Sequence, residues 1–385
     1  MIRPDYTGGS IVNLISSIAE AMEADTRGYA PASLLSSDRL SQAKNIVLLV
    51  IDGLGYEYLA ARSGDGFLSR NLRGSLTSVS PSTTATAIPA FMLGVPPMQH
   101  GFTGWFTYFR ELGDILAVLP FRSRHGSESL GAQGLSPADL CGCEPVFSRL
   151  QANCSVVMPD WIAGSDFNMA FNDGAEVVPY GGIAEFLSGI ESGLSGGGRN
   201  YVYAYWPEFD AIAHEYGVGS SQAAFHLEQL DAALDGFAWS NRGSDTLLLV
   251  TADHGFIDTL PEHTVYLSDH PELEACLGLP LSGESRFAYC YLRSGCESRF
   301  LDYVGRELAH CMDVRKSGEM LAENWFGLGE AHPQFKDRIG DYVMVMKGDY
   351  KIKDQVLGER PHLHLGVHGG VSSEEMYVPL VYAEL

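Results

Sequence analysis

Three stretches of strand length in this chain are almost uninterrupted apolar text: Asn45 to Ile51 (NIVLLVI), Asn200 to Trp206 (NYVYAYW) and Thr246 to Thr251 (TLLLVT). A strand with one face in water alternates polar and apolar residues, so runs without alternation belong at the centre of a sheet covered on both faces. Between the second and third runs, Gln222 to Phe237 (QAAFHLEQLDAALDGF) is spaced as an amphipathic helix. Ile11 to Met22 has helical spacing as well, and Ile183 to Ile190 is a shorter helical candidate. Strands alternating with helices predict an open α/β sheet, and such sheets bind ligands beyond the carboxyl ends of their strands. A chain of 385 residues with 45% hydrophobic content has ample core for that architecture.

Each run gives way to an acidic residue. Asp52 in VIDG and Asp253 in TADHG stand just past the first and third runs, and Asp210 in FDAIAH follows the second. Asp52 could simply cap the segment beginning near Tyr56, but Gly53 behind it permits a tight turn at the sheet edge. His254 adjoins Asp253, and an adjacent Asp and His can ligate one cation where a strand ends and the backbone turns. Asp210 and His214, at i and i+4, share one face of a helical turn, where they reach one metal or hydrogen-bond to each other. His368 in VHGG precedes two glycines that let backbone approach a site closely. Thr84 lies in SPSTTATAIPAFMLG, a hydroxyl-rich turn entering an apolar helix whose N-terminus suits an anion, with Ser82 or Thr83 as the ordinary N-cap. It has no sequence-local general base, so its activation would fall to a cation. Three Asp, three His and a hydroxyl are what two borderline-hard divalent cations need around a nucleophile, the inventory of a two-metal phosphoryl or sulfuryl hydrolase.

The formal net charge of -23, spread along the chain, argues against a nucleic-acid polymer or an anionic membrane as partner. A small anionic substrate stays compatible, because a metal pair overrides the surface field locally. The opening MIRPD starts no apolar stretch of signal-peptide length and no later run approaches a membrane span, so a cytoplasmic protein is expected. The seven cysteines lack a repeated CxxC spacing and are expected as reduced thiols; Cys141 and Cys143 alone offer too few ligands for a soft metal site. Arg122, Arg124 and His125 form a compact basic cluster, either a grip on a second anionic group or a solvated loop. From His263 to about Asp341 the periodicity weakens, with a strand candidate Arg286 to Leu292 and a helix candidate Arg299 to Cys311. The expected organisation is a catalytic core over 1–262 and 341–385, with 263–340 as a small inserted cap.

In order and text, VIDGLG, PSTTATAIPAFMLGVPPMQHG, FDAIAH, TADHG and VHGG resemble the alkaline phosphatase superfamily, and within it the nucleotide pyrophosphatase/phosphodiesterase branch, over Asn45 to Gly370. The resemblance implies a three-layer α/β/α sandwich with a largely parallel sheet, two zinc ions, and a threonine that forms a covalent phospho-enzyme. Carried over, Asp210, His214 and His368 would hold one zinc. Asp52, Asp253 and His254 would hold the other, with Thr84 as its oxygen ligand and nucleophile. Thr84 takes that role by its distance to Leu93-Gly94 and His100-Gly101, with Thr83 as the alternative. His362 and His364 would be outer partners of the metal site, since two more ligands would overfill a tetrahedral zinc. The chain departs from the family pattern where an Asn beyond the His-Gly pair holds a phosphoryl oxygen; here that position is Trp105, leaving oxyanion stabilisation to zinc and the Ala85 backbone N–H. Trp105, Phe106 and Tyr108 either form an aromatic wall for a substrate or pack against the cap.

The expected activity is hydrolysis of phosphodiester or pyrophosphate bonds in a small phosphorylated substrate. Rival readings keep the metals and change the bond, to a phosphonate, phosphomonoester or sulfate ester. A non-catalytic metal-binding recognition protein would be expected to lack a ligand or nucleophile, and none is missing.

Overall fold

In a computed structural model of the chain, which describes residues 1–62, 64–356, 359 and 364–385, the apolar runs are buried along their whole length. They are three strands of a seven-stranded sheet: β1 (Asn45–Ile51), β2 (Leu72–Thr77), β3 (Asn153–Pro159), β4 (Ala175–Tyr180), β5 (Asn200–Trp206), β6 (Thr246–Thr251) and β7 (Tyr377–Glu384). The strand order is β2-β7-β6-β1-β5-β3-β4. β1 pairs in parallel with both β5 and β6, and β3 with β5 and β4; β7 alone runs against its neighbours. Ile51 is opposite Trp206 and Val50 opposite Thr251, so the three central strands end level. That register brings Asp52, the segment leading to Asp210, and Asp253 to one edge, as the α/β rule requires.

The flanking helices include α1 (Ile11–Ala21), α2 (Thr84–Leu93), α3 (Ile183–Leu194), α4 (Glu208–Tyr216) and α5 (Ser221–Ser240). Ser10 and Asn13 form a capping box at the start of α1. α2 ends on Gly94 with φ 72°, the left-handed C-cap that glycine adopts without a Cβ penalty. No described helix is long and apolar enough to cross a membrane. All seven cysteines are free thiols.

A second seven-stranded sheet stands beside the first. From the segment 263–340 it takes Ser282–Glu284, Phe287–Cys290 and Met312–Lys316; the strands Phe106–Phe109, Asp114–Ala117, Arg122–Ser123 and Tyr342–Met346 come from outside that segment. The strand predicted from Arg286 is confined to Phe287–Cys290. The predicted helix Arg299 to Cys311 starts earlier, at Glu297, and passes from α-helix to a π turn over Val304–Leu308.

Candidate active site

Asp52 is the first residue after β1. Gly53 follows with φ +77°, and a Cβ there would lie 2.5 Å from the Phe256 ring, so the turn depends on glycine. Its N–H donates to Asp253 Oδ1 at 3.0 Å, tying the ends of β1 and β6 together. The same Oδ1 accepts the His254 N–H at 2.9 Å, which leaves Asp253 Oδ2 as the outward oxygen. α4 carries Asp210 and His214 on one face, with His214 Nε2 3.4 Å from Asp210 Oδ1. His368 follows the short strand Gly366–Val367 and brings its Nε2 to 3.2 Å from His214 Nε2 and 3.9 Å from Asp210 Oδ1. On the other side, His254 Nε2 lies 3.3 Å from Asp52 Oδ1 and 3.4 Å from Asp253 Oδ2.

The imidazole tautomers decide what these distances mean. His254 Nδ1 is 3.1 Å from the Gly255 carbonyl and His214 Nδ1 is 2.9 Å from the Gly366 carbonyl. A carbonyl can only accept, so each Nδ1 carries the proton and each Nε2 presents a lone pair. Those lone pairs face carboxylate oxygens, acceptor against acceptor, which is repulsive unless a cation lies between them. Asp52 Oδ1, Asp210 Oδ1 and Asp253 Oδ2 are buried without a hydrogen-bond partner, another sign that their partner is a cation. Burial, then the neighbouring Asp253 charge, raises the carboxyls of Asp52 and Asp210 well above the usual range. Burial also pushes His214 down to about 3 and lowers His254 and His368, keeping the rings in their neutral, ligating form. The donor set is mixed carboxylate and imidazole, with ligand atoms of Asp52, Asp253 and His254, and of Asp210, His254 and His368, close enough together to hold a divalent metal ion.

Thr84 is the first residue of α2, and its Oγ1 lies 3.1 Å from His254 Nε2 and 3.5 Å from Asp52 Oδ2. Thr83 occupies the N-cap position, yet its hydroxyl makes no capping bond and is buried. Ser82 does not cap either; its hydroxyl donates to the Gly370 carbonyl at 2.7 Å, joining the Thr84 turn to the His368 loop. Ala85, buried at the second position of α2, belongs to the first turn, where amides lack an intrahelical acceptor.

The other sequence-level candidates have diverse fates. Trp105 is 38% exposed, while Phe106 lies under the Arg124 guanidinium at 4.2 Å and Tyr108 packs edge-on to Tyr291, so the aromatic trio is divided between surface and second sheet. Arg124 is neither solvated nor free: it pairs with Asp354 at 2.6 Å and Glu359 at 2.7 Å, with its side chain 3% exposed. His364 places its ring 4.3 Å from that of His214. His362 lies outside the described residues. No cysteine belongs to a metal-competent cluster among the described residues.

Two partners escape sequence reasoning. The Tyr205 hydroxyl, from β5, donates to Asp52 Oδ2 and fixes that carboxylate. Tyr201, Tyr203 and Tyr205 alternate along the strand, a period-two signal submerged in an otherwise apolar run. Glu375 accepts the Gly370 N–H at 2.8 Å and its carbonyl accepts the Gly255 N–H at 2.8 Å, so it braces both ligand loops.

Fold and site together define the class, the alkaline phosphatase superfamily of metal-centred ester hydrolases. Within it, the sequence matches the type I phosphodiesterase / nucleotide pyrophosphatase family over residues 46–370, and the chain belongs to that family. Similar solved structures include murine ectonucleotide pyrophosphatase/phosphodiesterase 5, at 18% identity and TM-score 0.65 with 87% of each chain covered. An inactive threonine-to-alanine variant of that protein, in complex with AMP, aligns at 18% identity and TM-score 0.64 over 87% of each chain. Phosphonoacetate hydrolase from Sinorhizobium meliloti 1021, in complex with phosphonoformate, aligns at 18% identity and TM-score 0.61, covering 88% of this chain and 90% of the other. No curated protein sequence matches the chain.

Proposed function

We propose that this protein is a zinc-dependent hydrolase of phosphodiester or pyrophosphate bonds in which Thr84 carries the phosphoryl group between two displacements. The observation that carries the reading is the Thr84 hydroxyl, 3.1 Å from a His254 nitrogen whose lone pair also faces the Asp52 and Asp253 carboxylates. Asp52, Asp253 and His254 would hold one divalent cation, and Asp210, His214 and His368 the other. When bound, the pair supplies Lewis acidity that lowers the pKa of the nucleophile and offsets charge on the entering and leaving oxygens.

The residues of the chain do the rest. Tyr205 and the Gly53 amide hold two of the carboxylates in orientation. Thr84 gives up its proton as Oγ1 bonds to phosphorus and the P–O bond to the leaving alcohol or phosphate breaks, the leaving oxygen taking that electron pair and, on release, a proton. Water then attacks the same phosphorus, Thr84 departs with the bonding pair and takes up a proton from that water, and the net change is one ester or anhydride bond and one water consumed. The Ala85 amide, in the first turn of α2, is placed to donate to a non-bridging oxygen. The inactive threonine-to-alanine variant of the murine neighbour supports the assignment of a threonine nucleophile.

Thr84→Ala is expected to fold, to retain both metals by elemental analysis, and to lose turnover of a bis-aryl phosphate by at least ~10³-fold. Full activity in that variant would remove Thr84 from the mechanism. A panel of bis-aryl phosphate, aryl phosphate, aryl sulfate and phosphonoacetate tests the bond: dominant turnover of any but the first would reject the diesterase reading.

A further inference from the structure

The second sheet delivers a carboxyl group to the flank of the nucleophile. Its strand Ser282–Glu284 ends on Glu284, whose Oε1 accepts the Trp105 N–H at 2.6 Å. The Thr83 hydroxyl, one residue before the nucleophile, faces the same carboxyl. A Cβ on Gly369, one residue after His368, would meet the Cβ and Cγ of Glu284 at 2.7 Å each, so the glycine is what lets the side chain lie against the ligand loop. Glu284 is thereby wedged between the neighbour of Thr84 and the neighbour of a candidate metal ligand, and it stays partly exposed there.

Among the described residues, basic side chains of the second sheet and its adjoining loops are engaged elsewhere. Arg124 pairs with Asp354 and Glu359, Arg286 pairs with Glu375, and Lys351 donates to the His364 carbonyl at 2.8 Å. Among the described residues Glu284 has no ion-pair partner, so nothing described there neutralises its carboxylate.

We propose that Glu284 is a specificity residue whose carboxylate disfavours a dianionic phosphomonoester beside Thr84 and reserves the centre for the singly charged phosphodiester. The inference rests on the hydrolase reading above and adds the substrate charge it selects. A diester phosphoryl group bears one negative charge, whereas a monoester bears close to two at neutral pH and above. One more unit of like charge a few ångström from a carboxylate, at the screening typical of a protein surface, lowers relative binding by about tenfold or more. Burial pushes the Glu284 carboxyl up to about 7, against the hydrogen bond from Trp105, so it is ionised in an assay run two pH units higher.

The test uses the full chain loaded with zinc at such a pH and reads kcat/KM for a bis-aryl phosphate over that for the corresponding aryl phosphate. Glu284→Gln keeps an oxygen for the Trp105 N–H and removes the charge. The ratio is expected to fall by about tenfold or more, through a gain in monoester kcat/KM seated in KM, and Glu284→Ala should move it in the same direction. A purely structural role would lower both substrates together and gain neither. A ratio that stays within about twofold, or rises, in both variants of an enzyme that prefers diesters overturns the role of Glu284 alone. A wild-type enzyme that prefers the monoester overturns the diesterase reading as well.

Discussion

His100 sets an acid limit on this fold. Its ring is fully buried, with Nε2 3.1 Å from the Thr86 carbonyl and Nδ1 accepting the Phe102 N–H at 3.1 Å. That pairing requires the neutral ring, with the proton on Nε2. Burial pushes its pKa down to about 3, while the unfolded chain returns it to about 6.5. Between those values the unfolded chain binds a proton that the folded chain refuses, so the stability this group confers is complete above about 6.5 and drains away as pH falls, by up to about 1.4 kcal/mol per unit. Urea denaturation from pH 7 to pH 5 should show a shallower loss in His100→Gln, which keeps an N–H donor for Thr86, than in wild type; equal slopes would take His100 out of the account. At this scale the proposed ligands stand out in sequence because each Asp interrupts apolar text, and Thr84, the proposed nucleophile, because its helix start is hydroxyl-rich. Tyr205 and Glu284 were not, because an aromatic inside an apolar run and a Glu in a loop-rich segment give no local sign of what they touch.

The elements that hold the ligands are short and tightly apposed. Gly255, after His254, has no room for a side chain: a Cβ would lie 2.0 Å from the Glu374 carbonyl oxygen and 2.8 Å from Gly55 Cα, both backbone atoms of neighbouring loops. The loop cannot yield without moving His254, whose Nδ1–H is held by the Gly255 carbonyl itself. Gly255→Ala is therefore expected to destabilise the fold by about 2 kcal/mol and to weaken zinc retention, read by thermal denaturation and by metal content after dialysis. Wild-type values on both would show slack in the loop that the contacts deny. The long elements were readable, since uninterrupted apolar runs and amphipathic spacing are local properties. The strands Phe106–Phe109, Asp114–Ala117 and Arg122–Ser123 are too short for periodicity to declare, and they owe their conformation to their sheet neighbours. The π turn after Tyr303 likewise preserves apolar spacing while changing the helix that carries it.

At the scale of the molecule, the second sheet must be kept in register with the edge of the first that carries the proposed metal ligands. The joint is an ion pair, Arg286 to Glu375, with side chains 1% and 0% exposed and a two-pronged contact at 2.7 and 3.0 Å. Arg286 is one residue from the strand Phe287–Cys290 and also donates to the carbonyls of Gly348 and Tyr350, in the turn that follows the second-sheet strand Tyr342–Met346. Glu375 is on the core side and braces the loops of His368 and His254 through Gly370 and Gly255. The two residues are 89 positions apart, and nothing in either neighbourhood announces the other, so the pair that joins them is invisible in the sequence. Removing one member of a buried pair leaves an uncompensated charge, so Arg286→Met should destabilise the protein by about 3–5 kcal/mol. Because the stranded Glu375 is the brace of both ligand loops, zinc retention should fall in the same variant. Arg306, paired with Glu307 at a side-chain exposure of 59%, is the control: Arg306→Met should leave stability and metal content alike unmoved. If Arg286→Met unfolded no more readily than the control and kept its zinc, the two sheets would have to be held together by their apolar contacts alone.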